Sequence, residues 1–126
     1  IIYETRSSAA GKQLPTVIYL AGDRGLGKSE LALYITKELA RLEGRPLTTY
    51  TRNSVADKFW SKYRHQDVVI YDEFGQDKTC VDHSEIFGIF TPAAYYLNMA
   101  EVSDKGTPFT SRYVIVCSNK DYIMES

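Results

Sequence analysis

The sequence predicts an α/β fold: a mostly parallel sheet flanked by helices on both faces, a three-layer sandwich. Three observations predict it. Short, nearly continuous apolar runs recur at residues 16–21 (TVIYLA), 67–74 (DVVIYDEF) and 112–119 (RYVIVCSN), and such runs suit strands buried on both faces. Between them the apolar residues recur every three to four positions, which is the helical period. Buried strands that alternate with helices make a parallel sheet, because each parallel crossover consumes about a dozen residues or more.

The elements follow in order. Residues 1–15 are polar and turn-rich after their first positions and read as a lead-in loop, with 16–126 as one domain. The run 16–21, bounded by Pro15 and Gly22, is the first buried strand. Residues 29–44 form a helix with Leu31, Ile35, Leu39 and Leu42 on one face, stopped by Gly44 and Pro46. Residues 47–51 (LTTYT) make a more polar strand nearer an edge. Residues 54–63 suit a short helix, 67–74 a buried strand ending in two acids, and 82–90 a helix with Asp82 as its cap. Residues 95–111 fit neither period and read as an excursion or hairpin before the last strand.

Composition narrows the functions open to this fold. The 126 residues are 44% hydrophobic and 25% charged, which suits one globular domain. The net charge of −1 excludes a global basic field, so nucleic-acid affinity would have to come from a few placed cations. No apolar run approaches the roughly 20 residues of a membrane-spanning helix, and no signal peptide opens the chain. A start at Ile1-Ile2-Tyr3 without methionine suggests a piece of something longer. Cys80 and Cys117 match no metal spacing and read as free thiols in a reducing compartment.

The stretch GDRGLGKS, residues 22–29, carries the chemistry. Gly22, Gly27, Lys28 and Ser29 fill the fixed positions of G-x-x-x-x-G-K-[ST], with Asp23, Arg24, Gly25 and Leu26 between them. A strand precedes it and a helix follows, as a phosphate-binding loop requires. Glycines remove the β-carbons that would block a phosphate, and successive N–H groups with the helix N-terminus then form an anion cradle. Lys28 would reach the β- and γ-phosphates of ATP or another NTP, and the Ser29 hydroxyl would ligate Mg²⁺. A hydrolase built on this loop needs acids at the carboxyl end of a neighbouring strand. Asp72 suits Mg²⁺ and Glu73, one residue on, suits activation of the attacking water. Asn119, at the end of the last strand, would bridge that water and the γ-phosphate.

The stretches GDRGLGKS, FWSKYRHQDVVIYDEFGQD and LNMAEVSDKGTPFTSRYVIVCSN, in this order, resemble superfamily 3 helicases of small viruses. The nearer likeness is to the nonstructural NTPase/helicase of picornaviruses and other positive-strand RNA viruses, over residues 16–119. The resemblance implies an AAA+-like P-loop NTPase sheet and a homo-oligomeric ring, usually a hexamer, around a pore. It implies ATP hydrolysis coupled to work on single-stranded RNA, in the host cytoplasm at replication membranes. It also places Lys28, Ser29, Asp72, Glu73 and Asn119 in the roles above. Many picornavirus members carry Asp-Asp where this chain has Asp72-Glu73. No arginine follows Arg112, so the family's arginine finger would lie outside these residues, as would its membrane-binding helix, zinc element and oligomerisation tail. These features suggest a trimmed ATPase core with weak turnover of its own. The superfamily 3 domain of single-stranded DNA virus replication proteins shares the Asp-Glu-Phe ending and the Trp-x-x-Tyr lead-in.

Lys105-Gly106 is a basic point in the poorly patterned segment, either an RNA contact facing the pore or a solvated turn lysine. Phe59, Trp60 and Tyr63, interleaved with Lys58, Lys62, Arg64 and His65, read as packing residues with solvated charges, base stacking being the alternative. Tyr95 and Tyr96 also read as packing residues, and neither His65 nor His83 has partners at metal spacing. Two other functions share the loop. One is a nucleotide-binding regulatory or scaffold domain with little turnover; the other is a small-molecule kinase, whose arginine-rich lid is not evident in the three scattered arginines after residue 50.

Overall fold

The structure, a computed structural model, describes residues 2–5, 14–22, 27–75, 81–91 and 93–118, the first segment as backbone alone. In chain order the elements are β1 (Ile2–Thr5), β2 (Thr16–Ala21), α1 (Lys28–Glu43), β3 (Thr49–Arg52), β4 (Val68–Phe74), α2 (Val81–Ile89), a single 3₁₀ turn at Val102–Asp104, and β5 (Tyr113–Ser118). The strands form one sheet in the order β1-β2-β5-β4-β3. Strands β2, β5, β4 and β3 are mutually parallel, and β1 runs antiparallel along the outer edge of β2. The four-stranded parallel sheet between helices is the α/β architecture the sequence predicts, with β3 at an edge.

Alternation along the three central strands builds two cores. Val17, Tyr19, Val69, Tyr71, Val114 and Val116 face one side, with Ile89 of α2 and the aromatic residues Trp60, Tyr63 and Phe109. Ile18, Leu20, Val68, Ile70, Ile115 and Cys117 face the other, against Ala32 of α1. Both faces are covered, which is why these strands read as continuous apolar runs.

Four sequence expectations change. Residues 2–5 of the predicted lead-in loop form β1, paired from Ile2↔Leu20 to Thr5↔Val17; the pairing satisfies backbone groups along an otherwise open edge of β2. The buried face of α1 is set by Ala32 and Thr36, while Leu31 and Leu42 are 38% and 73% exposed. Small residues let the helix approach the sheet, and the Thr36 hydroxyl is satisfied by Ala32 O at 2.9 Å. Residues 54–63 form turns and bends in place of a helix. The Asn53 side chain accepts the N–H groups of Val55 and Ala56, and Arg52 claims the carbonyls of Asp57 and Phe59, so local bonds displace the helical ladder. Tyr96, expected to pack, is 61% exposed, whereas Tyr95 is partly buried against the core.

The segment predicted as an excursion is a hairpin-like one. Tyr96 bridges Pro108, Leu97 N–H donates to Thr107 O at 2.9 Å, and Phe109 N–H donates to Tyr95 O at 2.8 Å. Buried Leu97, Met99 and Phe109 anchor its stem. Trp60, fully buried, stacks on Tyr50 with ring centroids 5.7 Å apart, and its backbone N–H donates to Asn98 O at 2.9 Å. Trp60 and Tyr63 are therefore packing residues, as expected. The helix stop is also as expected: Gly44 adopts φ 72°, with Gly44 N–H to Arg41 O and Arg45 N–H to Ala40 O, both 3.2 Å.

An ion pair lies inside the α2-side core. Arg52 and Glu85 side chains are 1% and 4% exposed and meet at 2.7 and 3.0 Å. Glu85 also accepts Trp60 Nε1–H at 3.0 Å and the Tyr71 hydroxyl. Burial alone would lower the Arg52 pKa, but the Glu85 contact more than restores it, so the guanidinium stays charged. Burial and the Glu85 charge push the Tyr71 hydroxyl well above its ordinary range.

A second cluster ties the amino ends of the strands. Asp67 accepts Arg45 at 3.1 Å and Thr48 N–H at 3.0 Å, and Arg112 bonds Glu43 at 2.6 Å. The Arg45 bond, then the Thr48 N–H, hold the Asp67 carboxyl down from 3.8 to about 2.

Two outcomes follow from these clusters. Glu85→Ala leaves a buried guanidinium uncompensated and should cost about 3–5 kcal/mol, with Glu85→Gln costing less because it keeps one acceptor; urea denaturation midpoints measure both. A depressed carboxylate contributes stability above its unfolded pKa and loses it as pH falls through the folded one. The Asp67 contribution is thus full above about pH 4 and disappears toward about pH 2, modestly because the site is near the surface. Asp67→Asn should flatten the acid limb of a stability–pH curve over that window.

Candidate functional site

Strand β2 ends at Ala21, and the next residue, Gly22, donates its N–H to Ser118 O of β5 at 3.2 Å. Helix α1 starts at Lys28 behind Gly27, which has φ 76° and ψ 30°. This left-handed conformation is strained for residues with a β-carbon, and a Cβ there would stand 2.8 Å from a Glu30 carboxylate oxygen. Leu31 N–H closes the first turn on Gly27 O at 2.9 Å. The first turn of α1 lies ahead of that bond, and the positive end of the helix dipole there favours an anion. Lys28 Nζ reaches back to Gly22 O at 3.0 Å, so its ammonium spans the loop from helix start to strand end. Ser29 is exposed in that first turn. Asp23, Arg24, Gly25 and Leu26 lie outside the described residues.

Asp72 and Glu73 end β4, but β4 is not the neighbour of β2. Strand β5 lies between them, so the acids sit two strands from the loop. The ends are nevertheless level: Ala21 and Phe74 both pair with Ser118. Cys117 of β5 lies between the loop strand and the acid strand, and its thiol feels both the Asp72 and the Lys28 charge. Burial first, then Asp72, pushes that thiol up to about 11, and Cys117 Sγ lies 4.0 Å from Lys28 O.

A bulge separates the two acids. Tyr71 pairs with Val116 and Phe74 with Ser118, so two residues of β4 oppose Cys117 alone. Ile70 faces the α1 side and strict alternation would put Phe74 there too, yet Phe74 joins Tyr71 in the α2-side core. Glu73 is the inserted residue, with φ 52° and an exposed side chain. The bulge releases it from the alternation that would aim adjacent side chains to opposite faces. Glu73 N–H donates to Asp72 Oδ1 at 3.0 Å. The turn beyond is fixed by Asp82, which is fully buried and accepts Gly75 N–H at 2.7 Å and His83 N–H at 2.8 Å. Asp82, predicted as a cap, is the second residue of α2 and also braces this turn.

A further residue enters that sequence reading passed over. Asn53, just beyond β3, donates its side-chain amide to Glu73 Oε2 at 3.2 Å. The only signal was an asparagine at a strand end, which is ordinary turn chemistry. Asn119 lies outside the described residues, as does Cys80. Lys105 is exposed beside Gly106, with Nζ donating to Met99 O and lying 5.8 Å from the Phe59 ring centre. The structure does not bring it to the loop–acid rim. His65 bonds Thr110 and His83 bonds Asp82, and among the described residues no three His, Cys, Asp or Glu side chains cluster as metal ligands. The Ser29 hydroxyl and Asp72 carboxylate are hard oxygen donors on one rim, a set that suits Mg²⁺ with its retained waters. No helix among the described residues is long and apolar enough to cross a membrane.

Comparison with known proteins gives one consistent match. A family model described as RNA helicase matches residues 18–120. The chain is 42% identical over 106 residues to the genome polyprotein of Human klassevirus 1, covering 83% of the chain and 4% of the polyprotein. It is 38% identical over 110 residues to the genome polyprotein of Rice tungro spherical virus (strain A), covering 83% and 3%. It is 36% identical over 118 residues to the RNA1 polyprotein of Satsuma dwarf virus, covering 89% and 6%. The chain therefore spans only a few per cent of the polyproteins it matches.

Proposed function

From the premise that this chain belongs to the RNA helicase family, we propose that it is the ATP-hydrolysing core of a viral RNA helicase, working with Mg²⁺ in genome replication. The observation that carries this reading is the rim itself: Lys28 spanning the glycine loop, level with a bulge that presents Asp72 and Glu73 two strands away.

The residues divide the work. The cradle of Gly22–Ser29 holds the phosphates through N–H groups, and the Lys28 ammonium transfers from Gly22 O to the β/γ oxygens. Ser29 and Asp72 would hold Mg²⁺, which would supply positive charge against the phosphate oxygens. Glu73 orients the attacking water and takes its proton, and Asn119 bridges that water to the γ-phosphate. Neighbouring copies in a ring would complete the site, and the 95–109 excursion would carry single-stranded RNA, with Lys105 on a phosphate.

The test is nucleotide titration and turnover in the full-length protein. Lys28→Ala should weaken ATP binding markedly. Glu73→Gln should keep binding and lose about 10²–10⁴-fold in turnover, the usual worth of a general base. Asp72→Asn should also remove the Mg²⁺ dependence of binding. Equal ATP affinity for wild type and Lys28→Ala would overturn the reading.

RNA contact has its own test. Lys105→Ala should leave ATP affinity unchanged, lower RNA-stimulated hydrolysis and reduce the salt slope of RNA binding by about one phosphate contact. Unchanged RNA binding across a salt series would return Lys105 to a solvated turn.

A further inference from the structure

A third acid borders the nucleotide rim, and the division of work above leaves it idle. Glu30 is the third residue of α1, exposed in the first turn beside Ser29. Helical side chains lean toward the helix N-terminus, and this one leans back over the loop. A Cβ placed on Gly27 would stand 2.8 Å from Glu30 Oε2, so a carboxylate oxygen lies against the last glycine of the phosphate-binding stretch. Among the described residues Glu30 has no hydrogen-bond or ion-pair partner, so no neighbouring cation among them cancels its charge.

The place it leans toward is the positive end of the α1 dipole, which favours any anion. The phosphates of a nucleotide and the Glu30 carboxylate therefore compete for one field, to which Lys28 at the head of the helix adds its ammonium. Bound phosphate sets the carboxylate against like charge, and the repulsion grows with the charge that the nucleotide brings. Mg²⁺ on the phosphates cancels two of those charges. Glu30 thus opposes metal-free nucleotide most and the Mg²⁺ complex least. Lys28 and the helix dipole act in the other direction, since positive charge favours the more highly charged form. Asp72 and Glu73 add negative charge from β4, two strands away, whereas Glu30 adds it from the helix that the loop itself opens.

We infer that Glu30 is a specificity-determining residue of this site, whose carboxylate rejects metal-free nucleotide so that the cradle fills with the Mg²⁺ complex. The inference rests on the reading of residues 22–29 as a phosphate cradle. It differs from a plain helix-end role, in which Glu30 stabilises the first turn of α1 and treats both nucleotide forms alike.

ATP is titrated into the full-length protein with excess Mg²⁺, and again with a chelator in its place. Wild type, Glu30→Gln, Glu30→Asp and Lys28→Ala are compared, with a thermal melt of each. A charge gate predicts that Glu30→Gln tightens metal-free ATP binding and narrows the preference for the Mg²⁺ complex, the ratio of the two dissociation constants, by about 3–10-fold, less as salt is raised. Glu30→Asp keeps the charge but is one methylene shorter, and its preference should fall between those of wild type and Glu30→Gln. A helix-end role predicts a lower melting temperature for Glu30→Gln with the preference unchanged. An unchanged preference in Glu30→Gln, whatever its melting temperature, overturns the role of Glu30 while Lys28→Ala still weakens both forms. Wild-type affinity of Lys28→Ala for both forms strikes the cradle itself, and the inference with it.

Discussion

Strand β5 is the constraint on which the rest of the molecule depends. It pairs with β2 on one side and β4 on the other, both parallel, and Ser118 is the residue at which both registers end. That shared endpoint sets the glycine loop and the acids at one height, and Gly22 N–H is tied directly to Ser118 O. A slip of one residue would turn every aliphatic side chain of β5 to the wrong core. Burial of both faces makes that slip costly, so the hydrophobic pattern of Val114, Ile115, Val116 and Cys117 fixes the geometry of a site that it meets only at Cys117.

The bulge trades regularity for aim. A left-handed glutamate is unfavourable by roughly 1–3 kcal/mol and persists only where surroundings enforce it. Here the enforcement comes from the residues that follow: Phe74 is buried in the aromatic core beyond the kink, and Asp82 fixes Gly75 next to it. The strain is local, since register resumes at Phe74. Rigid strands thus deliver two adjacent acids that a flat strand would have sent to opposite faces.

Much of this was legible in the sequence. The three buried runs, the helix stop at Gly44 and the loop at 22–29 rest on short-range patterns that tertiary packing only reinforces. The misreadings share a cause. Leu31 and Leu42 looked like a core face because periodicity counts apolar residues without asking how close the helix must come; Ala32 and Thr36 won by being small. Residues 54–63 had helical composition, but a buried arginine 33 positions from its partner claimed the carbonyls that a helix needs. The interposition of β5 between the loop strand and the acid strand, the bulge, and Asn53 are long-range facts, invisible to any local window. Asn119 and half of the phosphate loop, residues 23–26, lie outside the described residues, so their place in the site rests on the motif.

The Arg52–Glu85 pair also shapes how this chain can change over generations. Aliphatic positions of the sheet can drift a methyl group at a time, each step costing about 1 kcal/mol. The ion pair has no such gradual path. Losing either partner passes through a fold with a lone buried charge, and Glu85 is answerable to Trp60 and Tyr71 as well. Four positions, on β3, β4, α2 and the turn between, are therefore inherited as a unit: they covary or they stand still. Because Arg52 and Tyr71 immediately precede Asn53 and Asp72, that immobility extends to the backbone beneath the acidic rim, and sequence drift is channelled to the solvent side of α1 and the tip of the excursion.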